Sequence, residues 1–421
     1  MNKRQIPKLL TSLILVSVGI FFTLNCSEKD KIISKEKASN SKVLNKDTTS
    51  NVKYPNNIIS KQATTEKTDL VFIGTYTSGS STGIYVYKMD TLTGSLSYIC
   101  SSPNTSNPSY LAIHPNKKWL YAVNENGSGT ISAFSFDSVQ NKIAFINSTS
   151  SQGNGPCYIS IDNTGKFVLV ANYNSGNVTV CPINSNGSLG AASSTDQHAG
   201  TSPHAHMIIQ AANNFVYNTD LGDDKIFIYS LDTLNGHITS TGNDVSTISG
   251  AGPRHIAFHP TQPWIYVVCE LKGLIEEYSM NNSSGVLSYI DTISTLPSGS
   301  SSPSSADIHI TPDGKYLYAS NRGTYNNIAM YTINQSTGEL SLIGYQAAGG
   351  TNPRGFVIDP SGKFLLVACQ DNSKIITFKI NSSNGKLVTT GIQITVPNPV
   401  CLKFLEVYKE KVNTGIRTIN F

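Results

Sequence analysis

The chain is poor in charge: Asp, Glu, Lys and Arg make up only 14% of its 421 residues. The basic excess is confined to one end. The first 68 residues hold 12 of the 31 Lys/Arg and 5 of the 27 Asp/Glu, so the remainder carries 19 and 22, a balance of −3. A slightly acidic body argues against a nucleic-acid surface, which needs clustered positive charge to displace counterions from phosphates. Paired cysteines are also missing. Beyond Cys26, the six cysteines at 100, 157, 181, 269, 369 and 401 form no CxxC pair and have no zinc-ligand spacing, so they read as small buried thiols. Few segments carry the pattern of a long amphipathic helix. What is plentiful is Gly, Ser, Thr, Asn and Tyr, the composition of an all-β protein with many tight turns.

The N-terminus reads as a targeting segment. Lys3, Arg4 and Lys8 precede an apolar stretch from Leu9 to Leu24, and "TLNC" follows. That is a secretory leader, too short and too early for a permanent span. A Cys directly after it predicts a bacterial lipoprotein, with residues 1–25 removed, Cys26 lipidated and the protein held to the cell envelope as a monomer. Asn25 departs from the commoner small residue at that place. Residues 26–68 are rich in Lys, Ser, Thr and Asn and predict a disordered tether.

From residue 69 the chain repeats. "LVFIGTY", "WLYAVNE", "FVLVANY", "NFVYNTD", "WIYVVCE", "YLYASNR" and "FLLVACQ" begin at 70, 119, 167, 214, 264, 316 and 364. Each is an apolar, β-branched or aromatic strand. A second strand and, in six copies, a Gly-containing turn such as "TGSL" or "NGKL" follow; "NKIAF" at 141–145 lacks the glycine. Another strand precedes every copy but the first, as in "GPRHIAFHP" and "NPRGFVIDP", and a last one follows the seventh copy as "NPVCLKF". Four short strands per period of about 50 residues predict a seven-bladed β-propeller. The first repeat starts on its second strand and the last ends on a first strand near Phe404. The C-terminal strand therefore completes the N-terminal blade and closes the ring, giving a domain over 69–405 and a tail over 406–421.

Lettering the strands a to d, the start of a and the end of b lie at one end of the blade, because the pair is antiparallel. One mouth of the channel thus collects Tyr76, Glu125, Tyr173, Asp220, Glu270, Arg322 and Gln370, with Ser109, His204, Arg254 and Arg354. Strand ends meet solvent and are polar in any case. His206 stands apart: aligned on the proline of strand a, its counterparts are Leu111, Ile159, Ile256, Ile308 and Phe356, so a His there forfeits packing and needs a partner. Alternation points His204 and His206 to one side, with Asp220, Asp223 or Asp224 within range as metal ligands. No third His or Cys follows at ligand spacing, and no metal or other cofactor is expected.

"SPHAHM", "GPRHIAFHP", "WIYVVCE", "SNRG" and "NPRGFVIDPSGKFLLVACQ" resemble the lactonase family of seven-bladed propellers, which includes propeller-type 6-phosphogluconolactonases and a fungal carboxymuconate cycloisomerase. The resemblance covers about residues 69–405. It implies an active site of one His, two Arg and one Glu, here His206, Arg254, Glu270 and Arg322, acting on a small anionic lactone. Either Glu270 or His206 serves as base and the other as acid. His204, Asp220, Arg354 and Gln370 are candidates for substrate binding. A cycloisomerase, or an exported propeller that binds without turnover, remains the alternative; an export signal fits poorly with a cytosolic phosphosugar. The repeat signatures of WD and kelch propellers are absent.

Overall fold

The computed structural model describes residues 58–103 and 105–417, and side chains only within 67–408. The expected leader, the lipidation site Cys26 and most of the expected tether lie outside the described residues. Among the described residues there is no helix, and the strands form seven sheets. Each sheet runs a–b–c–d from the centre outward. The fourth adds the short strand Val245–Ser246 beside its strand c. The first blade takes its strand a, Pro399–Arg417, from the C-terminus and its strand b, Ile58–Thr75, from the N-terminus. Ring closure by the last strand is therefore observed. These two strands run past the expected bounds at 69 and 405, so residues 58–68 belong to a strand and not to a tether. Residues 62–413 form one compact unit.

The b strands read as unbroken apolar runs because both faces are covered. Phe167–Asn172, Trp264–Cys269, Tyr316–Asn321 and Phe364–Cys369 are buried along their whole length. The aromatic ring that opens strand b has a defined seat. Trp264 of the fifth blade lies on Gly338, the turn glycine between strands c and d of the sixth, and a Cβ at Gly338 would stand 2.8 Å from the indole. Two residues on, the Tyr266 hydroxyl donates to the Gly338 carbonyl at 2.6 Å. Tyr316 and Tyr318 repeat the arrangement on Gly385. Phe364 of the seventh blade lies on Gly94 of the first, so the same lock spans the closure. The recurrent turn glycine thus answers two needs, a positive φ (+84° at Gly338) and room for the neighbour's ring. The second blade has Asn141 in that turn (φ 53°), and the blade before it offers Leu70 in place of an aromatic.

Candidate active site

The seven blades can be superposed through one hydrogen bond. The amide of the residue after strand b donates to the carbonyl of the residue leading into strand a: Tyr76 to Asn398, Glu125 to Asn107, Tyr173 to Gly155, Leu221 to His204, Glu270 to Gly252, Arg322 to Ser304 and Gln370 to Asn352, all at 2.8–3.1 Å. Two residues beyond that carbonyl lie Val400, Ser109, Cys157, His206, Arg254, Ala306 and Arg354. In the third to seventh blades the a–b register shifts at this place. A bulge inserts an unpaired residue and re-aims its side chain. Six of these seven residues line one cavity of about 10 Å³, together with Glu125, Tyr110, His255 and Asp307.

This superposition corrects the proline-based alignment of the fourth blade. His206 is the counterpart of Cys157 and Arg254, not of Ile159 and Ile256. The cause is a shorter a–b hairpin: Ala211 N bonds Phe215 O, whereas His259 N bonds Trp264 O. One residue fewer in the turn moves each strand b residue by one place. Asp220 therefore matches Cys269, and Leu221 takes the mouth position. Asp220 is fully buried. Its Oδ2 meets His198 Nδ1 at 2.5 Å, and its Oδ1 accepts the amides of His204, Gly222 and Asp223 at 2.7–3.0 Å. It braces the loop that carries His204 and does not face the cavity, so the expected substrate-binding role for it is withdrawn.

Arg254, Glu270 and Arg322 form one ionic group. Glu270 Oε2 accepts Arg254 Nε at 2.9 Å and Oε1 accepts Arg322 Nη2 at 2.7 Å. Burial alone would raise the Glu270 pKa, but the two guanidinium charges outweigh it and hold the carboxyl below its ordinary value. Burial, followed by the charge of Arg254, lowers Arg322 to about 10. A second group faces it. Glu125 Oε2 accepts the hydroxyls of Tyr76 at 2.8 Å and Ser109 at 2.5 Å. Arg354 reaches Glu125 Oε1 at 3.9 Å and lies over the Tyr76 ring at 5.4 Å.

His206 lies among these groups, 5% exposed. Its ring meets Tyr173 and His255 edge-on, at centroid distances of 5.7 and 5.2 Å. Nδ1 is buried with no protein partner. Burial and then the positive charge of Arg254 push its pKa well below the usual 6.5, so the ring is neutral near pH 7.

Two residues that the strand-end reasoning passed over complete the site. His255 Nδ1 lies 2.8 Å from Asp307 Oδ1, and His255 Nε2 lies 3.3 Å from Arg254 Nη1. Burial and the Arg254 charge lower His255 to about 4. A neutral His255 therefore donates Nδ1–H to the carboxylate and accepts from Arg254 through Nε2. Arg254 Nη1 also donates to Ala306 O at 2.6 Å, which fixes the guanidinium from three sides. The signal was present in "PRHIAF": His255 follows the bulge residue, and Asp307 follows Ala306 at the same place one blade on.

His204 sits at the rim, stacked on Tyr173 at 4.5 Å, with Nδ1 bonded to Tyr173 O at 2.9 Å. Asp220 is committed to His198, and no group of three His, Cys, Asp or Glu residues that could hold a metal ion occurs among the described residues. Gln370 stands at the mouth with Oε1 buried and unpartnered.

Fold and mouth together define a seven-bladed propeller with an ionisable cavity at one end of its channel. The family described as lactonase, 7-bladed beta-propeller, matches residues 70–404, and the chain belongs to this family. It is 35% identical over 344 residues to the 6-phosphogluconolactonase of Bacillus subtilis, covering 79% of this chain and 97% of that one. Among solved structures, a putative 6-phosphogluconolactonase from Bacteroides fragilis is 33% identical with TM-score 0.76, over 80% of this chain and 98% of that one. The periplasmic gluconolactonase of Pseudomonas aeruginosa is 29% identical with TM-score 0.77, over 81% and 99%.

Proposed function

We propose that this lactonase opens a small sugar or organic-acid lactone, one that is an anion or becomes one on opening, at the ring formed by His206, Arg254, Glu270, Arg322 and Arg354. The observation that carries the reading is the unpartnered, buried Nδ1 of a neutral His206 facing the arginine cluster. Water gives a proton to His206 Nδ1 as its oxygen adds to the lactone carbonyl. The oxyanion is held by Arg254, whose placement by Glu270, His255 and Ala306 precedes substrate. When the ring C–O bond breaks, the departing alkoxide takes the proton back from His206, and the product is a hydroxy acid. Glu270 is unsuited to the base role: both oxygens are engaged and its pKa is lowered. Three arginines against Glu125 and Glu270 leave one positive charge for the product carboxylate.

The test is a panel of sugar lactones and muconolactones offered to the purified protein, with ring opening followed by proton release. Turnover is expected, together with its loss in His206→Gln and Arg254→Ala. Activity unchanged in both variants overturns the site. Deuterium from solvent appearing on product carbon marks a cycloisomerase instead, and tight binding of a macromolecule with no turnover marks a scaffold. The proposal includes an exported, monomeric lipoprotein anchored through Cys26. Labelled fatty acid is expected to enter the wild-type chain and not Cys26→Ser.

A further inference from the structure

Beside the ring, between the sixth and seventh blades, a recess of about 350 Å³ opens on the same face, within the range of small-molecule sites. Ser304, Arg322, Asn326, Thr351, Asn352 and Asp371 line it. All come from the segments that lead into strand a or leave strand b, and Arg322 belongs both to the recess and to the ionic group of the ring. The recess is thus continuous with the proposed chemistry through one guanidinium.

Its chemistry differs from that of the ring. Arg322 shares the Glu270 carboxylate with Arg254, at 2.7 Å from Oε1, so its charge is offset only in part, and it also donates to the carbonyls of Ser304 and Ser305. Asp371 is exposed; its Oδ1 accepts Asn352 Nδ2 at 3.0 Å, and no Lys or Arg pairs with it among the described residues. Two side-chain amides, two hydroxyls and an uncompensated carboxylate surround a space next to an arginine whose charge Glu270 offsets in part. Such a lining exchanges hydrogen bonds with hydroxyl groups, and the Asp371 carboxylate disfavours a phosphate dianion.

We infer that this recess binds the uncharged, polyhydroxylated end of the substrate and that Asp371 excludes a phosphorylated one. Anion recognition is then confined to Arg254 and Arg354, where the carbonyl becomes a carboxylate, and the preferred substrate class is an unphosphorylated aldonolactone. The inference rests on the lactone reading of the ring for its reaction, but not for its binding preference.

The experiment measures the affinities of gluconate and 6-phosphogluconate by calorimetry, and the turnover of the two corresponding lactones, in the wild type, in Asp371→Lys and in Asp371→Asn. Asp291→Lys, on the outer strand of the fifth blade, controls for charge alone, and melting temperatures confirm folding. The wild type is expected to favour gluconate, and Asp371→Lys to shift the ratio toward the phosphorylated acid by about tenfold or more, since nearby unit charges interact strongly at a partly exposed site. Asp371→Asn is expected to lie between them. Wild-type affinity for 6-phosphogluconate equal to or above that for gluconate overturns the inference, as does a ratio in Asp371→Lys no different from that in Asp291→Lys. If the binding preference holds and no lactone is opened, the lactone reading fails and the recess stands. If lactones are opened and the ratio ignores Asp371, the recess fails and the lactone reading stands.

Discussion

The two mouths of the channel are built from opposite ends of the same strands, yet they differ in kind. At the start of strand a, bulges turn His206, Arg254 and Arg354 toward one another. At its end, a cavity of about 320 Å³ is lined largely by Ile209, Phe258, Pro260, Ile310 and Pro312, with Lys403 and His309. Polar residues at that end serve the a–b turns: Asp162 Oδ1 accepts the amides of Lys166 and Phe167 at 2.8 and 2.7 Å, and His259 Nε2 meets Gly314 O at 3.0 Å. Tyr110, His255 and Asp307 line both cavities and form the floor between them. A strand end becomes a site when its polar groups are left facing each other across a cavity, and remains scaffold when its own backbone consumes them.

Four experiments press on that contrast. The largest effect belongs to the bulged mouth: His206→Gln and Glu270→Gln are each expected to lower kcat/KM by about 10²–10⁴, the usual weight of a positioned acid–base group or its electrostatic support. Loss of less than tenfold in both, read on the best lactone of the panel, breaks the comparison. Next is the floor. Asp307 accepts from His255, His309 and the Phe356 amide at 2.8–3.1 Å. Asp307→Ala strips these buried donors of their acceptor and is expected to cost about 3–5 kcal/mol in urea unfolding, with kcat falling more than KM rises as Arg254 loses its support.

The third experiment concerns pH. His255 is lowered to about 4, so as pH falls the unfolded chain takes its proton first. The contribution of His255 is complete above about pH 6.5 and is lost as pH drops through about 4, with a slope of roughly 1.4 kcal/mol per pH unit. Urea midpoints between pH 7 and 4 check this, and a flat profile contradicts a neutral His255. The smallest effect is expected at the apolar mouth. Lys403 lies over the Tyr110 ring at 4.4 Å, and Lys403→Ala is expected to change kcat/KM by under about twofold, the scale of substitutions away from a site.

The blade count and the closing strand were legible because they rest on a long period and on where the repeats begin and end, signals that many residues carry together. The fourth blade was misread because a single deletion in "QAANNF" outweighs a shared proline. That slip gave His206 apolar counterparts and placed Asp220 at the mouth, where the structure has Leu221. The quartet His206, Arg254, Glu270 and Arg322 was implied by the family resemblance; in the structure Arg254 and Arg322 meet on Glu270, and His206 shares a cavity with Arg254. The pairing of His255 with Asp307 links residues 52 apart, and it is legible only once the two are aligned at the same place in successive blades. The charge balance of the recess was likewise unreadable, since it depends on how Glu270 is shared between Arg254 and Arg322.

Closure by the last strand has a consequence for biogenesis. As the chain leaves the ribosome, the first blade lacks its innermost strand until Pro399–Arg417 has emerged. Strand b of that blade must wait with one hydrogen-bonding edge open while six further sheets assemble. A nascent chain halted before Pro399 would present an incomplete circle with two sticky ends, so the strand Pro399–Arg417 acts as the clasp that ends its exposure to aggregation.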